Sequence, residues 1–372
     1  MNPTSIFNEI LKNVKNSKGE LLFPNGVYSP LDASEAPNHS TYLTVEKRIN
    51  LLLQYNKEFF ELKNPHFNLI HCGSINACAD ATTSNNHFIG FTLGLVDFSQ
   101  FILKNCLRDN EFLFEFLGES FEEVYVINHH TFKNWHPFIL KNSLNSELMN
   151  LSLKNIRRDR LANELFIYFS IFIHLHEIGH LKQKKNKFFS EFDSIFCTSD
   201  NLKSQVYEMD ADYFAVHRLA SNLIGTYNTG KKNIPESDSN ILIFESKEIL
   251  VRCTLFILIT TFFIFGTVNG FNKETLDTKH PNPALRLTYC IEMLVNIFIQ
   301  EGFINEKEKD KFGKKTVNDF KKIIEKIFSN LDLVSFLNLT VDTELLNHHN
   351  QLQLIAQTMN DLNGSGYYTP NF

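Results

Sequence analysis

Residues 253–268, CTLFILITTFFIFGTV, carry no charge and ten Leu, Ile, Phe or Val side chains, the most apolar stretch of the chain. A helix of this kind has two destinations: a bilayer, or the middle of a core that covers it on every side. Ten such residues are worth about −3 to −6 kcal/mol on an insertion scale, so transfer energy permits the first. Length argues for the second, because at about 1.5 Å per residue the run spans ~24 Å, short of the ~30 Å hydrocarbon thickness unless Arg252 is drawn in. The expected fold therefore buries this helix, with peripheral membrane association through residues 250–268 as the alternative. A chain of 372 residues with 43% apolar content has the material for such a core.

The remaining pattern is mainly helical. Apolar residues at helical spacing predict helices over 5–16 and 43–62, separated by a Pro/Ser/Asn-rich loop, and another over 95–106. Between them, FNLIHCGSINACAD and HFIGFTLG read as two strands of a small sheet joined by the turn-like ATTSNN. One long helix is predicted over 156–183, polar at its start, then strongly apolar; a second covers about 202–224, and the charged, amphipathic region from 305 ends in a flexible tail. Residues 107–155 fit no regular pattern.

Near its end the long helix reads His176-Glu177-Ile178-Gly179-His180. On a helix, positions i and i+4 share a face about 6 Å apart, so both imidazoles can reach one metal ion. Glu177 sits a hundred degrees around the helix from His176, at the edge of the metal, which suits a general base for a metal-activated water. Gly179 costs about 1 kcal/mol relative to alanine inside a helix, which implies close packing there. The competing reading is a core helix that happens to be rich in histidine, and a third ligand decides between the two.

Twenty-eight residues after His180, QVYEMDADYFAV supplies one. Glu208 and Asp212 share a helical face, with Ala211 and Ala215 small enough to bring this helix close to the histidines, while Asp210 points the other way and is expected to be solvated. Glu208 is assigned as third zinc ligand and Asp212 as acceptor for the second N–H of a ligand histidine, His176. Three protein ligands leave a position open, the arrangement of a catalytic zinc, one per chain. His174, two residues before His176, faces elsewhere and reads as a core histidine. His129, His130, His136 and Trp135 read as structural, and His348 and His349 as exposed.

H-E-x-x-H followed by E-x-x-A-D resembles the gluzincin metallopeptidases of the HtpX and CAAX prenyl endopeptidase type. SINACADATTSNNHFIGFTLGLVDF (74–98) is similar to that family's N-A-x-A strand and following edge strand, and HPNPALR (280–286) to its H-P-x-x-x-x-R motif. The resemblance implies a gluzincin-like, mainly helical α+β fold with a small antiparallel sheet over the zinc helix. It implies that the strand carrying His87, Phe88, Ile89, Gly90 and Phe91 pairs with an extended substrate backbone. Arg286 would brace the site, and His280 would lie close to the metal, as an oxyanion donor or as a fourth zinc ligand that blocks water. A second resemblance is to the phage-exclusion Lit-type peptidases, one of which cleaves a translation factor. Three regions follow: a helical one over 1–66, the metallopeptidase domain over 67–300 with 107–155 inserted, and a helical one over 301–372.

The expected function is zinc-dependent hydrolysis of peptide bonds in a protein substrate, with Glu177 as base and a defence or stress role consistent with the type. The alternative is a catalytically silent relative that presents residues 107–155 to a partner. A formal charge of −6 and a pI near 6.2 leave no basic footprint for nucleic acid. Cys72, Cys78, Cys106, Cys197, Cys253 and Cys290 form no C-x-x-C and read as reduced thiols, and no secretory signal opens the chain, so a cytoplasmic setting is expected. A crossing at 253–268 would also part Glu208 from His280, a second reason to expect a core helix there.

Overall fold

The computed structural model describes residues 3–15, 19–28, 39–58, 60–73, 75–80, 86–110, 117–119, 121–128, 152–183, 200–233, 242–269 and 281–329. In chain order the elements are α1 (Pro3–Leu11), α2 (His39–Asn56), β1 (Pro65–Ile70), β2 (Ala77–Asp80), β3 (His87–Thr92), α3 (Leu93–Cys106), β4 (Ile127–Asn128), α4 (Ile156–Gln183), α5 (Asp200–Asn233), α6 (Lys247–Asn269), α7 (Pro283–Gln300), α8 (Lys309–Ile327) and β5 (Phe328–Ser329). They pack as two compact units. The first is drawn from 1–178, 240–243 and 322–331, the second from 179–239, 244–321 and 332–372.

In the first unit the sheet is three-stranded and mixed, not the small antiparallel sheet that the resemblance implies. Its order is β1-β3-β2, with β1 parallel and β2 antiparallel to β3. The run FNLIHCGSINACAD leaves the sheet after Ile70 and returns at Ala77, and its two halves pair on opposite sides of β3. All six residues of β3 are buried, and a strand so enclosed needs a hydrogen-bonding partner along each edge. The outer side of β1 is covered in turn: the Asn50 side chain donates to the Phe67 carbonyl and accepts from its N–H at 3.1 Å each, and Tyr28 N–H donates to Leu69 O at 2.7 Å. A Cβ at Gly90 would meet Ile70 Cδ1 at 2.7 Å and the Phe7 ring at 3.0 Å, so a larger residue there requires these side chains to shift.

The helices start where side chains can cap them. Asn155 Oδ1 accepts from the N–H groups of Arg157 and Arg158, opening α4, and Thr92 and Asn282 cap α3 and α7, the latter with Pro283 in the first turn. Arg158, buried, gathers backbone carbonyls that follow α3: Nη1 donates to Leu107 O at 2.6 Å and to Asp109 O at 2.9 Å, and Nη2 to Gly118 O. The observed α4 matches the predicted span, whereas α5 runs nine residues past its predicted end at 224.

In the second unit α6 is the core. From Leu250 to Ile264 all but Arg252 are buried, so the helix has no polar face, as its uniform sequence requires. Phe256 and Phe263 both meet Phe320 of α8 edge-on, at 5.7 and 5.6 Å between ring centres. Among the described residues α6 is the one helix long and apolar enough to cross a membrane, and 83% of that span is buried inside the protein. Phe256→Ala should therefore cost about 3–5 kcal/mol in urea unfolding, as a core phenylalanine does. A loss below ~1 kcal/mol would show that this face is not packed against protein.

Candidate metal centre

The last two turns of α4 present His176 and His180, and α5 presents Glu208. One ligand atom from each lies within 4.8 Å of the others. His180 Nε2 is 3.5 Å from Glu208 Oε1. The approach of the two helices depends on Gly179, where a Cβ would stand 2.9 Å from Ala211 Cα and 3.1 Å from Ala211 Cβ. Ala211 and Ala215 are fully buried. The cost of glycine inside a helix is thus offset by a crossing that no larger residue allows. Glu177 is also buried, at 7% exposure, so a carboxylate stands beside the ligands in a region of weak solvent screening.

Arg286 of α7 supplies the counter-charge. Its Nε and Nη2 donate to the two Asp212 oxygens at 2.6 and 2.8 Å, and its Nη1 is 3.2 Å from Glu208 Oε2. Burial works against the charge on Arg286, but Asp212 and Glu208 outweigh it and raise its pKa above the ordinary value. Arg286 thus makes a forked contact to one carboxylate, Asp212, and a single contact to a second, Glu208. Both Asp212 oxygens are engaged by Arg286, and its expected task toward His176 stays a proposal.

Asp210 departs from the expectation that it is solvated. Gln183 Nε2 donates to Asp210 Oδ2 at 2.8 Å, and burial raises this carboxyl to about 6 against the lowering effects of Gln183 and His180. Helical geometry placed it away from Glu208, and the end of α4 covers that side of α5. Gln183 stands three residues after His180, on the same helical face, and that spacing is the one sequence signal of its role. Its Oε1 is 2.9 Å from His180 Nδ1, and its amide also donates to Tyr207 O at 2.7 Å.

His174 is a core histidine: it is 2% exposed, its ring meets Phe67 at 6.4 Å, and burial lowers its pKa to about 3. The assignment of His87, Phe88, Ile89, Gly90 and Phe91 to an edge that pairs with substrate is corrected, because β3 is the middle strand, with β1 and β2 on its two sides. His87 Nδ1 accepts from the Lys63 N–H at 3.1 Å, a structural contact. His280 lies outside the described residues, as do His129, His130, Trp135, His136, His348 and His349; Pro281 and Asn282, next to His280, are buried.

Two histidines, a glutamate and an adjacent buried carboxylate are a donor set suited to a divalent metal and hydrolysis. Residues 118–300 match the family model Peptidase U49. That match supports a peptidase and is consistent with the Lit-type resemblance, while the likeness to the HtpX and CAAX prenyl endopeptidases rests on the motifs alone. It spans α4 to α7, hence every residue of the candidate centre, and leaves out the three-stranded sheet. No curated protein and no solved structure matches the chain.

Two substitutions test this geometry. Gly179→Ala should destabilise the fold in place of the ~1 kcal/mol gain that alanine brings to an ordinary helix interior, as read by thermal unfolding. Arg286→Met removes the counter-charge of two carboxylates and should cost about 3–5 kcal/mol. A neutral outcome for Arg286→Met would show that the cation is dispensable to the fold.

Proposed function

We propose that the protein is a zinc-dependent endopeptidase acting on a protein substrate, with one Zn2+ per chain held by His176, His180 and Glu208. The observation that carries this reading is the convergence of the three donor atoms within 4.8 Å, with Glu177 buried beside them on α4. The donor set fits zinc: two neutral imidazoles and a carboxylate are a known catalytic combination, and none of the three is a cysteine of the structural type. A Zn2+ bound there supplies Lewis acidity, polarising a carbonyl and making water a better nucleophile at neutral pH.

This chain's own groups do the remaining work. Glu177 accepts the proton that the attacking water loses and passes it to the leaving amine as the C–N bond breaks. Arg286 holds Glu208 and Asp212 together and supplies their counter-charge. A substrate backbone adding to the sheet could not do so at β3, the middle strand.

Glu177→Gln should leave the fold and zinc content close to wild type and lower activity by orders of magnitude, because a non-ligand proton acceptor is removed. Glu208→Ala should instead lower zinc content severely, as measured by metal analysis after dialysis. Comparing neo-N-termini in cells that express the wild type or Glu177→Gln identifies the substrate. Cleavage by Glu177→Gln at the wild-type rate would remove this mechanism. The absence of any wild-type-dependent neo-N-terminus would instead favour a non-catalytic binding protein.

A further inference from the structure

Gln183 is 4% exposed at the end of α4 and uses both ends of its amide. Its Nε2 donates to the Tyr207 carbonyl at 2.7 Å and to Asp210 Oδ2 at 2.8 Å, and its Oε1 stands 2.9 Å from His180 Nδ1. The Tyr207 carbonyl fixes the orientation of this amide. A backbone carbonyl only accepts, so a flipped amide would set two oxygens against each other at hydrogen-bond distance. With Oε1 turned toward His180, the contact is a hydrogen bond only if Nδ1 carries the proton. A neutral imidazole protonated at Nδ1 has its lone pair on Nε2, the nitrogen that faces Glu208 at 3.5 Å.

We infer that Gln183 is a positioning residue that holds His180 in the Nδ1–H tautomer and aims its Nε2 lone pair at the metal position. The same amide sets the spacing of two ligands. Tyr207, whose carbonyl it grips, immediately precedes Glu208 on α5, so one side chain ties the His180 ring to the turn that carries Glu208. Partners of this kind fix the ring orientation of a ligand histidine and make it a better donor. A structural rival also exists, in which Gln183 merely cross-links α4 and α5 and the His180 contact is incidental.

The affinity part of the inference rests on the zinc reading, whereas the tautomer part does not, and the experiment separates them. Long-range 1H–15N NMR of the metal-free wild type, at a pH where the imidazole is neutral, should show His180 protonated at Nδ1. An Nε2–H pattern overturns the inference outright, with no variant needed. Gln183→Leu removes the acceptor and both donors, whereas Gln183→Glu removes the donors and keeps an oxygen opposite Nδ1. Gln183→Leu should lose the Nδ1–H signature and weaken Zn2+ binding, by chelator competition, about ten- to a hundredfold. Gln183→Glu should keep the signature and recover part of that affinity, the remainder being lost with the tie to Tyr207 O and Asp210, which a carboxylate cannot make. Equal losses in the two variants would make Gln183 a cross-link only, and so would a wild-type tautomer pattern in Gln183→Leu. If the wild type binds no Zn2+, the zinc reading fails, and the NMR comparison still decides the tautomer.

Discussion

The crossing of α4 and α5 at Gly179 and Ala211 is the contact on which the candidate centre depends. Metal ligation needs three side-chain atoms within a few ångströms, and two of the three arrive on one helix for the cost of a four-residue spacing. The third must come from elsewhere, and a carboxylate as short as glutamate reaches only if the helix axes approach closely. The 2.9 Å that would separate a Cβ at residue 179 from the Ala211 backbone shows how little room the crossing leaves.

Bringing carboxylates to such a place raises an electrostatic problem, which α7 solves. Glu208, Asp210 and Asp212 stand within five residues of one another on α5, and repulsion together with desolvation would disfavour their joint burial. Arg286 takes Asp212 in a forked contact and reaches Glu208, while Gln183 donates to Asp210. Arg286 in turn lies over the Phe262 ring of α6, at 5.2 Å. The most apolar helix of the chain thus also supports the guanidinium that the centre requires.

Periodicity made much of this legible in advance. The span of α4, the burial of α6, the closeness of something at Gly179 and the shared face of His176 and His180 all follow from residue spacing along one helix or from the apolar content of one segment. Spacing along a helix is local, and local geometry is what a sequence encodes most directly. The mixed sheet was not legible, because strand order depends on which backbone edges find partners, and the run from Phe67 to Asp80 gives no sign that its halves pair on opposite sides of β3. The edge role given to His87 through Phe91 failed for the same reason.

What the sequence by itself determined is therefore which side chains can share a helical face, and which segment must be buried. What only the tertiary structure decided is the environment of each charge. Asp210 looks solvated from its helical angle and is instead packed against Gln183, and Asp212 meets a guanidinium 74 residues away. Burial and counter-charge come from elements distant in the chain, and no periodicity within one helix reports what will lie against its far side.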